Sequence, residues 1–382
     1  MGKAKISALM YADDIAIIAE SRDEMRKALK IIEDTLEHRN LKLNKKKSKV
    51  LRIGPGSTIP TTWSPDNKSG EESAIEEVSE YKYLGVWFGK GRQHSKHMKQ
   101  IKRKMSYIVP SIISRAQNAP NHQMAAKALW NSSSRPSLLL GAASITFTEE
   151  IIQKINNQQI RLGKWILGLN KSASATITLG MMEWLPVEEE VACTKIKWWR
   201  KVLLMPEHRW PRQTLEYMKT NITWNWYQAV QATLIHLGLT VSKLSSNGWK
   251  RAITERNEVL FWRKWEEKTG QPAWVYKKLL KEESATTLIQ VVAKDRKAVV
   301  GDFEGTTCPV CQKEWENWSN HIIWQCEAAN EQNKWYRAFL SAHKTGTGTN
   351  DIISSVRQQD WRSLRWINMI INQWMETRKR SN

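Results

Sequence analysis

The tightest constraint on this chain is a spacing near its C-terminal end. Cys308-Pro309-Val310-Cys311, then His321, then Cys326, read C-x2-C-x9-H-x4-C. A Cys-x-x-Cys knuckle lets two thiolates reach one ion. His321 and Cys326, in the apolar Ile322-Ile323-Trp324 stretch, supply two further ligands. Three sulfurs and one nitrogen in tetrahedral array make a closed structural Zn²⁺ site, with no open position for chemistry. The competing reading is chance spacing around one or two buried free cysteines. The fourth cysteine, Cys193, stands alone and reads as a buried helix residue. A secreted disulfide framework would be denser and evenly counted.

Charge is the strongest bulk signal. The 382 residues carry 59 Lys/Arg against 38 Asp/Glu, a net charge of +21. The excess is clustered. Lys42 to Lys49 holds five lysines and no acid, Lys90 to Lys104 holds seven Lys/Arg and no acid, and Arg378-Lys379-Arg380 closes the chain's tail. Clustered positive charge points to a polyanionic partner, nucleic acid first. Hydrophobic residues make up 41%, enough for a core, and the length fits two or three domains. No run approaches the roughly 18 apolar residues of a membrane span, and the first residues lack the order of a signal peptide. The expectation is a soluble, intracellular protein with no membrane partner. The 21 Trp fit helix packing, and some fit stacking on bases as well.

Along the chain, two short apolar segments, Ile6 to Tyr11 and Ile15 to Ala19, flank Asp13 and Asp14 and predict a β-hairpin with those acids at its tip. Ser21 and Glu24 form a capping-box pattern. The helix it opens carries Met25, Leu29, Ile32 and Leu36 on one face and runs to about Arg39. Leu41, Leu43, Val50, Leu51 and Ile53 predict strands around the lysines, residues 54–74 a surface loop, and Tyr81 to Phe88 one strand with Gly85 as a bulge or a point of close approach. From about residue 94 the pattern turns helical. Met98, Ile101, Met105 and Ile108 space for an amphipathic helix; Glu149 to Leu167, capped by Gly168, and Glu188 to Met205 predict two more. Residues 213–300 read as irregular helix, 343–350 as a flexible link, and Trp361 to Trp374 as a last helix.

Adjacent carboxylates at a hairpin tip repel one another. They fit either an ordinary solvated turn or a site that holds Mg²⁺ (or Mn²⁺) against nucleotide phosphates. The succession matters more than the four letters. Tyr11-Ala12-Asp13-Asp14, a capped helix, Leu41-Lys42-Leu43-Asn44-Lys45-Lys46-Lys47-Ser48 and Tyr83-Leu84-Gly85 follow in order. This order resembles the palm of reverse transcriptases, most closely those of non-LTR (LINE-type) retrotransposons. The resemblance implies that Asp13 binds catalytic metal with support from Asp14, that Tyr11 lies under the primer terminus and that Lys47 lies near the incoming nucleotide. It implies that Tyr83, Leu84 and Gly85 grip the primer. It also implies that the helix carrying Lys96, Lys99, Lys102, Arg103 and Lys104 belongs to a thumb that tracks the duplex backbone. RNA template, DNA primer or target DNA, and dNTPs are the implied partners, with nucleus and cytoplasm as compartments. Similar elements of the Cys-x-x-Cys…His…Cys kind follow the thumb in that family. Trp315, Trp318 and Lys313 then either contact nucleic acid or cover the zinc. Intron-encoded maturases share the Tyr-Ala-Asp-Asp hairpin, but their nuclease-bearing forms carry two Cys-x-x-Cys pairs where this chain has one.

The expected fold is α+β: a partial reverse-transcriptase palm (1–92), a helical thumb (93–205), a helical connector (206–300), the zinc element (301–342), and a C-terminal helix with a basic tail (343–382). The family's enzymes use another Asp on a strand preceding the hairpin, and fingers that close over the nucleotide. Only ten residues precede Tyr11 here, so neither is expected in this chain. Two function readings follow. One is a segment of an RNA-directed DNA polymerase that is inactive alone. The other is a non-catalytic nucleic-acid-binding protein derived from such an element.

Overall fold

Alternating short apolar runs around an acidic turn do form a hairpin. Strands β1 (Ala8–Tyr11) and β2 (Asp14–Ile17) pair antiparallel, with Tyr11 opposite Asp14. The computed structural model describes residues 8–53, 62–63, 75–89, 95–220, 225–240, 248–281, 285–301, 303–327, 331–343 and 348–381. The chain divides into two units. The first comprises Met1–Lys104, Leu140–Phe147 and Trp198–Ala229; the second comprises Met105–Leu139, Thr148–Lys197 and Val230–Asn382.

In the first unit, helix α1 (Arg22–Glu37) starts where the capping pattern places it. Glu24 N–H donates to Ser21 Oγ at 3.2 Å, and Glu24 Oε2 accepts from Glu20 N–H at 2.8 Å, one residue outside the usual box. The helix ends through Asn40, whose φ of 56° is left-handed, and Leu41 N–H reaches back to the Leu36 carbonyl at 2.8 Å. Leu29 of α1 joins Val50 and Ile75 in a small core, against which Ile17, Met25 and Leu43 pack.

The lysine-rich segment differs from its expectation. Residues 41–44 form no strand, and β3 covers only Lys49–Leu51. Asn44 is the cause. Its Oδ1 accepts from Lys47 N–H at 3.1 Å, and its carbonyl accepts from both Ser48 N–H and Ser48 Oγ at 3.0 Å. An Asn that bonds the local backbone competes with a ladder and wins here. Strand β4 (Thr62–Trp63) falls inside the segment expected as loop; the rest of 54–74 lies outside the described residues. Strand β5 (Ile75–Val78) sits between them, parallel to β3 and antiparallel to β4.

Tyr81 to Phe88 is a hairpin rather than one strand. β6 (Glu80–Tyr83) and β7 (Val86–Gly89) pair antiparallel, joined by Leu84 (φ 46°) and Gly85 (φ 86°). Two successive positive φ values make the mirror-type turn whose twist matches its flanking strands.

In the second unit, the helix Glu149–Ile166 begins at Thr148, whose Oγ1 accepts from Ile151 N–H at 3.4 Å, and ends before Gly168 (φ 65°) as expected. Ile151, Ile155, Gln159, Leu162 and Ile166 are its buried stripe. The buried Gln159 accepts from Trp130 Nε1 at 3.3 Å and donates to the Leu185 carbonyl at 2.9 Å, so its amide is satisfied in the core. The largest core gathers Trp265, Tyr276, Leu288, Ile289, Leu364 and Ile371 among others, and includes Cys308 and Cys326. Its elements include the helices Trp249–Thr269, Thr286–Val292, Glu331–His343, Thr349–Gln358 and Trp361–Ser381. The expected link 343–350 is partly helix: Thr349 already begins one, and 344–347 lie outside the described residues. No helix among the described residues is long and apolar enough to cross a membrane.

Among the described glycines of the first unit, Gly85 leaves an added Cβ the least room. A Cβ there would lie 2.8 Å from Leu140 Cδ2, on a backbone that L side chains rarely adopt. Gly85→Ala is expected to lower stability by about 1–2 kcal/mol, read as a shift of the urea midpoint at unchanged slope.

Candidate metal and nucleic-acid sites

The acidic hairpin presents its carboxylates openly. Ala12 (φ 53°) and Asp13 make the turn, Asp14 starts β2, and Tyr11, Asp13 and Asp14 are all exposed. A non-glycine residue in the left-handed region is uncommon and clusters at functional turns. The flanking apolar side chains are exposed too: Leu9, Met10, Ile15 and Ile18 face solvent, Met10 at 77%. Among the described residues no third metal-binding side chain joins Asp13 and Asp14. Lys47 lies exposed in the Asn44 turn, and Tyr83, Leu84 and Gly85 occupy the β6–β7 turn. The structure therefore puts the expected palm residues on three separate turns of one unit.

The basic helix α2 (Ser95–Ala116) buries Ile101, Met105 and Ile108, as its spacing predicts. Its cations divide by environment. Lys99, Lys102 and Arg103 are exposed. Lys96 is held: its Nζ lies 2.7 Å from Glu80 and 4.0 Å from the Trp87 ring centroid. Lys104 is half-buried, and burial first, then the nearby Lys82 charge, lower its pKa from the ordinary lysine value.

The cysteine–histidine set is brought together as its spacing predicts. The ligand atoms of Cys308, Cys311, His321 and Cys326 all lie within 4.8 Å of one another. Cys308 Sγ is 3.8 Å from Cys326 Sγ, and Cys311 Sγ is 3.3 Å from His321 Nε2. Each half has its own local frame. Thr307 and Glu314 form a bridge, Cys308 N–H bonds the Lys313 carbonyl at 2.7 Å, and Val310 N–H points at Cys308 Sγ at 3.5 Å. The other half is a single wide helical turn, His321–Gln325, closed by Cys326 N–H on the His321 carbonyl at 2.8 Å. Asn317 caps its approach through Ser319 N–H and Asn320 N–H.

The donors are electronically suited to a cation. Burial holds the His321 imidazole below its ordinary pKa, and the hydrogen bond with the Gln325 side chain only partly opposes this, so the ring is a neutral ligand at pH 7. Burial pushes the Cys311 thiol up. Hydrogen bonds from Lys313 N–H, the Cys308 and Cys326 thiols and Glu327 N–H outweigh that and leave it below the usual thiol value. Trp315 is buried and stands edge-on to His321 with centroids 5.4 Å apart, so it covers the site. Lys313 pairs with Glu327 at 2.5 Å on the surface. Two contacts escaped sequence reading. Trp324 Nε1 donates to the buried Asp351 at 3.0 Å, and Arg337 bonds three carbonyls of the His321–Cys326 turn. Neither belongs to a spacing pattern.

An acidic two-residue turn, a capped helix, an Asn-Lys-rich turn and a second hairpin follow one another in that order along the first unit. A model of the family "Reverse transcriptase (RNA-dependent DNA polymerase)" matches residues 1–88. Over 91 residues the chain is 31% identical to a "Retrovirus-related Pol polyprotein from type-1 retrotransposable element R2" of Nasonia vitripennis. That match covers 22% of this chain and only 9% of the relative's length. No solved structure matches. The chain is thus similar to a reverse transcriptase of a non-LTR element, the family match lying within residues 1–88.

In metal-free protein near neutral pH, a soluble alkylating reagent is expected to modify Cys311 roughly tenfold or more ahead of the other cysteines, because Cys193, Cys308 and Cys326 are buried. Peptide mass spectrometry over time reads the order. Cys308 or Cys326 reacting first would contradict the geometry.

Proposed function

We propose that this chain is a C-terminal segment of a non-LTR retrotransposon RNA-directed DNA polymerase that binds primer–template nucleic acid. The observation that carries this reading is the reverse transcriptase match over residues 1–88, which contains Asp13 and Asp14 at an exposed hairpin turn. In this reading Asp13, supported by Asp14, holds Mg²⁺ or Mn²⁺, which supplies charge neutralisation at the nucleotide's phosphates. Tyr11 supports the primer end, Lys47 approaches the incoming dNTP, and Tyr83, Leu84 and Gly85 grip the primer. Lys99, Lys102, Arg103 and Lys104 contact phosphates of an RNA template paired with a DNA primer or target. Lys96 contributes less, since Glu80 and Trp87 already engage it. The four ligands Cys308, Cys311, His321 and Cys326 hold a structural Zn²⁺. The compartments are nucleus and cytoplasm.

Two carboxylates hold only one side of a two-metal site. These 382 residues alone therefore bind without polymerising. A second reading, a binding protein with no catalytic use of Asp13, is favoured by the same lack of a third ligand among the described residues.

Primer extension on an RNA template with Mg²⁺ tests the expected lack of polymerisation, with binding recorded in the same tubes. The purified chain is expected to bind without extending, and Asp13→Ala to bind equally. Extension that is lost in Asp13→Ala would show that these residues suffice for chemistry.

Salt provides an independent check. If four cations of α2 meet phosphates, affinity is expected to fall about a hundredfold between about 50 and about 200 mM salt. Flat binding over that range would rule out the phosphate contacts.

A further inference from the structure

The two halves of the cysteine–histidine site are held by different means. The Cys308–Cys311 half is fixed by its own backbone, through the Thr307–Glu314 bridge and the Cys308–Lys313 bond. The His321–Cys326 half is a single turn whose last carbonyls have no partner further along a helix. Arg337, on the helix Glu331–His343, fills that role. Its Nε donates to the Ile323 carbonyl at 2.8 Å, Nη1 to the Cys326 carbonyl at 2.8 Å, and Nη2 to the Ile322 carbonyl at 3.2 Å. Only a planar guanidinium offers three donors in that fixed fan; a lysine ammonium is a compact point charge on a flexible stem.

Charge adds a second reason. Three thiolates and a neutral imidazole around a divalent ion leave a net charge of −1. Cys308, His321 and Cys326 are buried, His321 at 2% exposure. A buried charge needs a partner. Lys313 is exposed and already paired with Glu327, so it offers little. Arg337 brings its positive charge onto the backbone of Cys326 itself.

We infer that Arg337 is a positioning residue for the metal centre: it clamps the His321–Cys326 turn in the ligating geometry and offsets the charge of the loaded site. This rests on the reading that the four ligands hold Zn²⁺. It involves no contact between Arg337 and the ion.

The test uses the full chain, titrated with Zn²⁺ against a chromogenic chelator at fixed pH, and with Co²⁺ for its thiolate charge-transfer and d–d bands. Wild type is compared with Arg337→Lys and Arg337→Met. Stoichiometric tetrahedral binding by wild type is expected, with affinity about 10–100-fold weaker in Arg337→Met and intermediate in Arg337→Lys, which keeps the charge and loses the fan. Thermal unfolding of metal-free and loaded protein separates positioning from packing. The stabilisation gained on loading should shrink in the variants. Equal losses in both forms, with unchanged metal affinity, would overturn the role of Arg337 while leaving the zinc reading intact. Wild type that binds no metal would overturn the zinc reading and this inference with it. Should Arg337→Met not fold, Arg337→Lys carries the comparison.

Discussion

Much of the C-terminal architecture depends on one requirement: three thiols and an imidazole spread over nineteen residues must meet at a point, three of the four of them buried. So short a segment has no core of its own. It borrows one, for Cys308 and Cys326 belong to the same apolar cluster as Trp265, Leu288, Leu364 and Ile371. The helix Glu331–His343 supplies Arg337 to the turn, and Asp351, on Thr349–Gln358, takes the Trp324 indole. Ligand spacing and helix packing are thus parts of one structure. Free energy gained by an ion on these four atoms would be felt by the helices that follow, since a preformed ligand set exists only in the folded state.

Local signals in the sequence were legible where one residue decides one bond. Ser21 starts its helix, Thr148 and Gly168 bound theirs, and the Cys-x-x-Cys…His…Cys spacing brings its four ligand atoms together. Patterns failed where two interactions competed or where burial hid the period. The run Leu41 to Ile53 has strand-forming residues, but Asn44 bonds its own backbone and turns the chain. Tyr81 to Phe88 is apolar enough for one strand, yet Leu84 and Gly85 take positive φ and fold it in two. The helices Ala175–Met181 and Thr286–Val292 carry no stripe to detect, because Ile177 to Met181 and Thr287 to Val292 are buried on every face. Arg337 is invisible to spacing altogether, since its bonds go to backbone carbonyls contributed by a separate element.

The acidic hairpin contrasts with the cysteine–histidine site. The latter is over-determined: each ligand sits in a bonded turn, and a tryptophan edge and an arginine fan surround it. Asp13 and Asp14 ride on a two-stranded ribbon whose Leu9, Met10 and Ile15 face water, and only Ile17 packs on the α1 core. An isolated hairpin is marginal in water, and charge placement within about half an ångström is what metal-assisted transfer demands. The described residues therefore order the structural site and present the two carboxylates without locking them.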